Sequence, residues 1–151
     1  MMSPAADPEH DVVIDILNEW SITNTSRDRV QVRIQNAIAL PDLDSVLIPD
    51  VAWVQRGNYR EQRPTGNKVL LAIEVAGSSL ARDRGEKAAI YAEAGVADYW
   101  IVNLRDQVIE VHRQPRGTAY GEKLTLGKSE TIAPLAMPEV KLAIGDLWQT
   151  A

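Results

Sequence analysis

Cysteine is absent from this 151-residue sequence, and histidine occurs only twice, as His10 and His112. The absence of cysteine excludes a disulfide framework and any metal site built from thiolates. Two histidines also leave little for a zinc site or for a Ser-His-Asp catalytic triad. A catalytic site in this chain therefore has to be built mainly from other side chains.

Long hydrophobic runs are also missing. No apolar stretch approaches the roughly 18 residues that a membrane-spanning helix needs. The first residues, Met1 to Ala5, lack the basic and then apolar layout of a signal peptide. We therefore expect a cytoplasmic protein without a membrane partner.

The length and composition fit one soluble globular domain over residues 1–151, with 45% hydrophobic and 25% charged residues. The net charge is −5, which gives no positive evidence for a nucleic-acid-binding protein. Five of the acidic residues lie within residues 1–26, so the remainder carries equal numbers of acidic and basic side chains. Basic residues cluster within 27–33, 56–63 and 82–87, which allows a local basic face.

The hydrophobic pattern predicts an α/β domain with a mixed sheet flanked by helices. Val69 to Ile73 is apolar on both faces, which is typical of a strand inside a sheet covered on both sides. Asp83 and Glu86 fit a capping box, and Gly95 fits a helix end. The predicted elements are a helix over residues 8–20, strands over 30–34, 46–54 and 69–75, a helix over 83–94, strands over 99–102 and 108–112, and an edge strand within 124–132.

Two acidic residues and one lysine form a candidate site. Asp50 and Glu74 lie at strand positions with apolar surroundings, and Lys87 lies in the first turn of the second predicted helix. Carboxylates can hold Mg²⁺, which then needs few other protein ligands. A cation beside the attacking water can orient it and offset charge in the transition state. These residue types suit the metal-dependent hydrolysis of a phosphodiester.

Each of these residues also has a purely structural interpretation. Asp50 after a proline is typical of a turn, and Lys87 can be a solvated helix residue. Glu74 is harder to explain in this way, because ionised acids are rarely buried without a partner or a metal. Asp83 fits a helix cap better than a ligand, and Tyr91 fits core packing with its hydroxyl at the edge of the site. Neither histidine is assigned a role.

Two sequence runs resemble known nucleases. Pro49-Asp50, followed by Ile73-Glu74-Val75, resembles the PD-(D/E)XK nuclease superfamily. The run from Glu74 to Ser79, with Asp83 to Lys87 and Tyr99-Trp100 after it, resembles the Uma-type family of restriction endonucleases. The resemblance is strongest over residues 46–113. It implies a restriction-endonuclease-like fold and a metal-dependent nuclease site.

The chain departs from these patterns at three places. Ala76 stands where the superfamily usually has its lysine, and the Uma-type pattern implies that Lys87 replaces it. Family members usually carry a Y-E-L-x-x-G-E segment before an M-S-P run, whereas this chain starts at Met1 with Met2-Ser3-Pro4 next. We therefore expect a truncated N-terminal segment that lacks one strand region and its acid. Ser79 also replaces the family's usual proline.

The sequence therefore predicts a Mg²⁺- or Mn²⁺-dependent endonuclease that acts on DNA. Asp50 and Glu74 would bind the metal with the carbonyl of Val75, and Lys87 would position the water. The supporting residues would be Asp83 and Tyr91, and Arg82 and Arg84 would contact DNA. Nucleases of this fold often pair, so a homodimer is also expected.

Two other functions stay open. One is a catalytically inactive nucleic-acid-binding or protein-interaction module with the same fold, which the neutral-to-acidic charge favours. The other is a metal-dependent hydrolase of a small phosphate ester or nucleotide. A basic groove of DNA size separates this hydrolase from the first two functions. Metal binding that depends on Asp50 and Glu74 separates the nuclease from the inactive module.

Overall fold

The structure is a computed structural model that describes residues 7–42 and 45–149. It confirms the predicted α/β class, with helices on both faces of a mixed sheet. The helices are α1 (Pro8–Asn24), α2 (Leu80–Arg84) and α3 (Glu86–Glu93), with short 3₁₀ turns at Gly66–Lys68 and Ile144–Trp148. The strands are β1 (Val30–Ile34), β2 (Ile38–Ala39), β3 (Val46–Leu47), β4 (Val51–Gln55), β5 (Val69–Ala76), β6 (Asp98–Asn103), β7 (Val108–Arg116), β8 (Ala119–Leu126), β9 (Thr131–Ile132) and β10 (Leu142–Ala143).

Within the described ranges, the main sheet has six strands in the order β1-β4-β5-β6-β7-β8. Strands β5 and β6 are parallel, because the chain crosses over through α2 and α3 between them. The other neighbouring pairs of this sheet are antiparallel. The parallel pair lies at the centre, so the carboxyl ends of β5 and β6 meet at one edge of the layer.

Strand β5 divides its side chains between two cores. Leu71, Ile73 and Val75 contribute to the core that α1 covers, while Ala72 and Ala76 contribute to the core under α3. Both sets are buried, which explains why the strand is apolar on both faces. Glu74 alternates with the first set and therefore faces α3.

The core under α1 is built around tryptophans. Leu17 of α1 packs in the same cluster as Trp53 and Trp100, and all three are fully buried. The Trp20 ring lies 5.3 Å from the Trp53 ring. The indole N–H of Trp53 donates to Oγ of Ser21 over 2.8 Å, so its one polar group is satisfied.

The core under α3 combines small residues with stacked rings. Ala72 and Ala88 leave little side-chain bulk between α3 and the sheet. Tyr91 of α3 and Tyr99 of β6 fill the remaining space, with their ring centres 4.5 Å apart. The close approach matters for function, because it brings polar atoms of α3 within hydrogen-bond distance of the sheet.

Several element boundaries differ from the prediction. Helix α1 continues past Trp20 to Asn24. The strand predicted over residues 46–54 is two strands, β3 and β4, separated by residues 48–50. Strand β7 continues past the predicted end at residue 112 to Arg116, and β8 starts at Ala119, before the predicted edge strand. The last predicted edge strand corresponds to the end of β8 and to β9.

Local sequence signals set the start of α1 and the end of α3. Asp7 caps α1 by accepting a hydrogen bond from the N–H of His10 over 3.0 Å. Gly95 ends α3 with a φ of 84°, a conformation that favours glycine. The Met2-Ser3-Pro4 run and Asp44 of the predicted turn lie outside the described residues. Among those residues, no helix is both long and apolar enough to cross a membrane.

Candidate active site

Asp50 and Glu74 lie side by side at the edge of the sheet. Asp50 directly precedes β4, and the pairing of Val51 with Ile73 places it opposite Glu74 of β5. The N–H of Asp50 donates to Oε1 of Glu74 over 3.3 Å. The N–H of Val75 donates in turn to Oδ2 of Asp50 over 2.7 Å. These reciprocal bonds fix both carboxylates to the backbone of the other strand.

Helix α3 adds a cation and a hydroxyl to this pair. Nζ of Lys87 lies 3.1 Å from Oε2 of Glu74. The hydroxyl of Tyr91, one turn further along the helix, donates to the same oxygen over 3.0 Å. The spacing of four residues puts both groups on the face of α3 that meets the sheet. The structure therefore brings the predicted residues Asp50, Glu74 and Lys87 together.

Glu74 is a deeply buried acid. Its exposed fraction is 2%, and burial raises its pKa from the ordinary value of 4.5 to about 7. The Lys87 charge lowers this pKa, but the nearby charges of Asp50 and Asp83 raise it again. One lysine therefore does not compensate the negative charge at this site.

Lys87 remains charged in this setting. Burial alone would lower its pKa, but the charges of Glu74 and Asp83 outweigh that effect and raise it. Its ammonium group lies 3.2 Å from Oδ1 of Asp83, one helical turn back along the chain. A lysine held between two carboxylates has few alternative positions, so its charge is well placed relative to Glu74.

The predicted capping box at Asp83 and Glu86 is wrong. Asp83 lies inside α2, and Gly85 separates α2 from α3 without a side-chain cap. The Asp83 side chain is 1% exposed and accepts a hydrogen bond from Oγ of Ser79 over 2.8 Å. Contacts with Ser79 and Lys87, four residues away on either side, and a hydrogen bond from the Tyr99 hydroxyl to the Asp83 carbonyl thus hold this residue, and the local cap does not form.

His10 belongs to the site although no sequence pattern indicated it. Its Nε2 lies 3.5 Å from Oδ2 of Asp50, and its other ring nitrogen has no hydrogen-bond partner and lies 3.6 Å from Asp11. The contact arises because α1 packs across the sheet from the other side. A cavity of about 180 Å³, lined by His10, Val75 and Ser79 among others, opens beside it.

The arginines predicted to contact DNA already have acidic partners. Arg84 donates from Nε and Nη2 to the two carboxylate oxygens of Glu110, over 2.8 and 2.6 Å. Arg82 lies 3.8 Å from Glu86 on the helix surface. Contacts of these two arginines with DNA stay a prediction, as does metal binding by the carbonyl of Val75.

The donor set fits a magnesium-type ion. Within residues 7–42 and 45–149, no group of three or more His, Asp or Glu side chains is arranged to hold a metal. Mg²⁺ does not require such a group, because one or two carboxylates and several waters are its usual protein environment. Asp50 and Glu74 supply two hard oxygen ligands, and burial raises the pKa of Glu74 to about 7, so a bound cation would favour its ionised form.

Comparisons with known proteins show the fold and the family of this chain. The chain is similar to a protein of Anabaena variabilis whose crystal structure is described as that of a "putative nuclease belonging to DUF820". The TM-score is 0.74 over 98% of this chain and 84% of that one, at 13% sequence identity, which establishes a shared fold. No curated protein matches the sequence. A family model described as "Uma2: Putative restriction endonuclease" matches residues 1–145. This match over nearly the whole chain shows that the protein belongs to the Uma2 family.

Proposed function

We propose that this protein is a Mg²⁺- or Mn²⁺-dependent endonuclease that hydrolyses DNA phosphodiester bonds at Asp50, Glu74 and Lys87. One observation carries the proposal. Glu74 is a buried carboxylate that shares one small site with Asp50, and Lys87 and Tyr91 both point at it from α3. The charges of Asp50 and Asp83 add to that of Glu74 at this site, and both raise its pKa.

The two carboxylates hold the ion from neighbouring strands. Asp50 and Glu74 are fixed by backbone hydrogen bonds, so their oxygens need little reorganisation when an ion binds. Bound Mg²⁺ would polarise the phosphate and lower the pKa of an attacking water. Tyr91 restrains Oε2 of Glu74, which leaves the glutamate one defined rotamer.

Lys87 supplies the positive charge that the transition state needs. Its ammonium group is held between Glu74 and Asp83, and its side chain is 20% exposed. It can therefore reach a water or a phosphate oxygen at the mouth of the site while it stays anchored. A positioned cation stabilises the charge that develops on the phosphate, and loss of one such group typically costs about 10²–10³ in rate.

The inactive module with the same fold is the main alternative. The overall charge of −5 favours it, because non-specific affinity for DNA comes mainly from basic residues. This alternative predicts DNA binding or protein binding without a dependence on Asp50, Glu74 or a divalent ion. Metal binding and cleavage, measured on the same variants, therefore separate the two.

The test combines Mn²⁺ titration with DNA cleavage. Parent, Asp50→Asn and Glu74→Gln are titrated with Mn²⁺ by calorimetry and then incubated with supercoiled plasmid and either ion. We expect the parent to bind Mn²⁺ and nick DNA, and both variants to lose the two activities together. Glu122→Gln serves as a control, because Glu122 is an acidic residue of β8, which lies at an edge of the sheet away from the site. A parent that binds DNA but cleaves no form of it with either ion would leave the inactive module as the function.

A further inference from the structure

An edge of the sheet next to the acidic site carries a group of arginines. Arg33 of β1 and two arginines of the loop that follows β4, Arg60 and Arg63, line one cavity of about 390 Å³. Gln35 and Asn36 also line it, as does one acidic residue, Glu61. The cavity therefore combines three positive charges with one negative charge, in a protein whose overall charge is negative.

Arg33 is a partly buried cation without an acidic partner. Among the described residues, no carboxylate oxygen lies within 4.0 Å of the guanidinium nitrogens of Arg33, Arg60 or Arg63, whereas Arg84 and Arg113 both form short ion pairs. The Nε of Arg33 is buried and has no hydrogen-bond partner. Its guanidinium carbon lies 5.7 Å from the centre of the Tyr59 ring, which holds the group in place. An arginine in this position has unused capacity to bind an anion.

The electrostatic environment of Arg33 agrees with a role in anion binding. Burial lowers the pKa of its guanidinium from the ordinary value, and the charge of Arg63 acts in the same direction. An anion between these two arginines would offset both the burial of the Arg33 charge and its repulsion by the Arg63 charge. Phosphate suits the fork-shaped guanidinium, because its oxygens can accept two parallel hydrogen bonds.

The loop that carries Arg60 and Arg63 is anchored at several points. Ala39 of β2 donates its N–H to the carbonyl of Pro64 over 2.8 Å. The hydroxyl of Tyr59 donates to the carbonyl of Gln55 over 2.5 Å. Gly66 approaches α3 so closely that a Cβ there would lie 1.9 Å from the carbonyl oxygen of Ala94. The arginines therefore project from a supported loop, which lowers the entropy that binding would cost.

The cavity begins directly beside the acids. The N–H of Gln35, which lines the cavity, donates to the carbonyl of Asp50 over 3.1 Å. Arg33 pairs with Ala52, and Ala52 contributes to the core under α3, so Arg33 lies on the sheet face that also carries Glu74. Two residues along a strand span about 7 Å. Adjacent strands lie about 5 Å apart, so the backbone of Arg33 lies about 9 Å from that of Asp50, within reach of the same DNA strand.

We propose that Arg33 and Arg63, assisted by Arg60, bind the phosphate backbone of a DNA strand beside the bond held at Asp50 and Glu74. This inference rests on the proposed function for the choice of DNA. A free nucleotide or inorganic phosphate has the same oxygen chemistry. Arg82 and Arg84 are less suited to this role, because each already has a carboxylate partner.

Binding is measured without metal, so that cleavage cannot interfere. The affinity of the full chain for a fluorescent 20-base-pair duplex is determined in EDTA at several NaCl concentrations. The variants are Arg33→Ala/Arg63→Ala, the single variant Arg63→Ala, and Arg33→Lys/Arg63→Lys, which keeps the charges. The control Arg116→Ala/Lys123→Ala removes two exposed charges from the hairpin at the opposite edge of the sheet.

We expect the Arg33→Ala/Arg63→Ala variant to bind about 10- to 100-fold more weakly. The slope of log K against log salt should fall by about 2, since each lost phosphate contact removes about 0.9. Arg63→Ala should lose about half of that slope, and it keeps Arg33 in place if the double variant does not fold. The lysine variant should retain most of the slope, and the control should match the parent.

Three results would overturn the inference. The first is a parent that does not bind duplex DNA, and the second is a salt slope that Arg63→Ala and the double variant leave unchanged. The third is displacement of the duplex by inorganic phosphate or a mononucleotide, at a concentration equal to that of the DNA phosphate that saturates the protein. This result would assign the cavity to a free ligand. Cleavage by the parent in Mn²⁺ is scored separately. If the parent cleaves DNA but the salt slopes of parent and variants are equal, the arginine surface is refuted and the proposed function is kept. If the parent does not cleave DNA but the variants lose slope as expected, the proposed function is refuted and the arginine surface is kept.

Discussion

The ammonium group of Lys87 lies 3.1 Å from Oε2 of Glu74, although the lysine belongs to α3 and the glutamate to β5. The same ammonium lies 3.2 Å from Oδ1 of Asp83. Two carboxylates, those of Glu74 and Asp83, thus contact one lysine in a largely buried site, and a third, that of Asp50, lies next to Glu74. This imbalance of charge has consequences for stability that do not depend on catalysis.

The first prediction concerns the pH dependence of stability without metal. The pKa of Glu74 is about 7 in the folded protein, against an ordinary value of 4.5. Below about pH 4.5 the residue is protonated in both states, and its contribution to stability is fully present. As the pH rises towards 7, the unfolded chain releases this proton first, so the folded state loses stability relative to the unfolded state. The loss is on the order of 3 kcal/mol at most and is complete above pH 7.

Glu74→Gln should remove this dependence. In EDTA, we expect the variant to match the parent near pH 4.5 and to be more stable than it at pH 8, by about 1–3 kcal/mol. Urea unfolding at both pH values measures the difference in the free energy of unfolding between the variant and the parent. The contributions of other titrating groups cancel in this difference. Equal losses of stability in the variant at both pH values would show that Glu74 is a structural acid.

The second prediction contrasts Glu74 with the buried acid Asp98. Asp98 is fully buried and accepts hydrogen bonds from Trp100, Arg113 and the N–H of Leu135. Asp98→Asn would leave the charge of Arg113 without its anion. The Arg113 side chain is only 14% exposed, so this charge would be largely buried and unpaired. We expect a loss of about 3 kcal/mol in urea unfolding at pH 7, where Glu74→Gln loses nothing. A tolerated Asp98→Asn would mean that this ion pair contributes little.

The third prediction concerns the hydroxyl of Tyr91. Tyr91→Phe removes the hydrogen bond to Oε2 of Glu74 and leaves the ring in the core. We expect a loss of about 1 kcal/mol in stability and a fall of several-fold in the rate of DNA nicking. Tyr120→Phe is the matched control, since it removes a buried hydrogen bond to the carbonyl of Val96 away from the site. If the two variants nick DNA equally fast, Tyr91 serves only the core.

The fold was predictable because the central elements carry strong local signals. The doubly apolar run of β5, the helix end at Gly95 and the apolar run of β6 define the parallel pair and its crossover. The boundaries around Pro49 and Pro115 were not predictable in the same way. Pairing with neighbouring strands decides them, and a sequence pattern does not reveal which strands are neighbours.

The site was only partly predictable for a related reason. Asp50 and Glu74 stood out because they lie at strand positions with apolar surroundings, and Lys87 because it lies in the first turn of a predicted helix and fits the Uma-type pattern. The role of Asp83 had an available signal, since Ser79, Asp83 and Lys87 recur at intervals of four and share one helical face despite the break at Gly85. His10 had no such signal, because its contact with Asp50 exists only through the packing of α1 on the sheet.

The central claim is that Lys87 acts on the reacting groups of a metal-dependent nuclease. The most direct measurement is the initial rate of plasmid nicking by the parent and by Lys87→Met with saturating Mn²⁺, with Mn²⁺ affinity determined for both proteins. Methionine keeps the apolar part of the side chain and removes the charge. We predict that the variant still binds Mn²⁺ and nicks DNA about 10²–10³-fold more slowly than the parent. An unchanged nicking rate in Lys87→Met, with Mn²⁺ bound, would contradict the account.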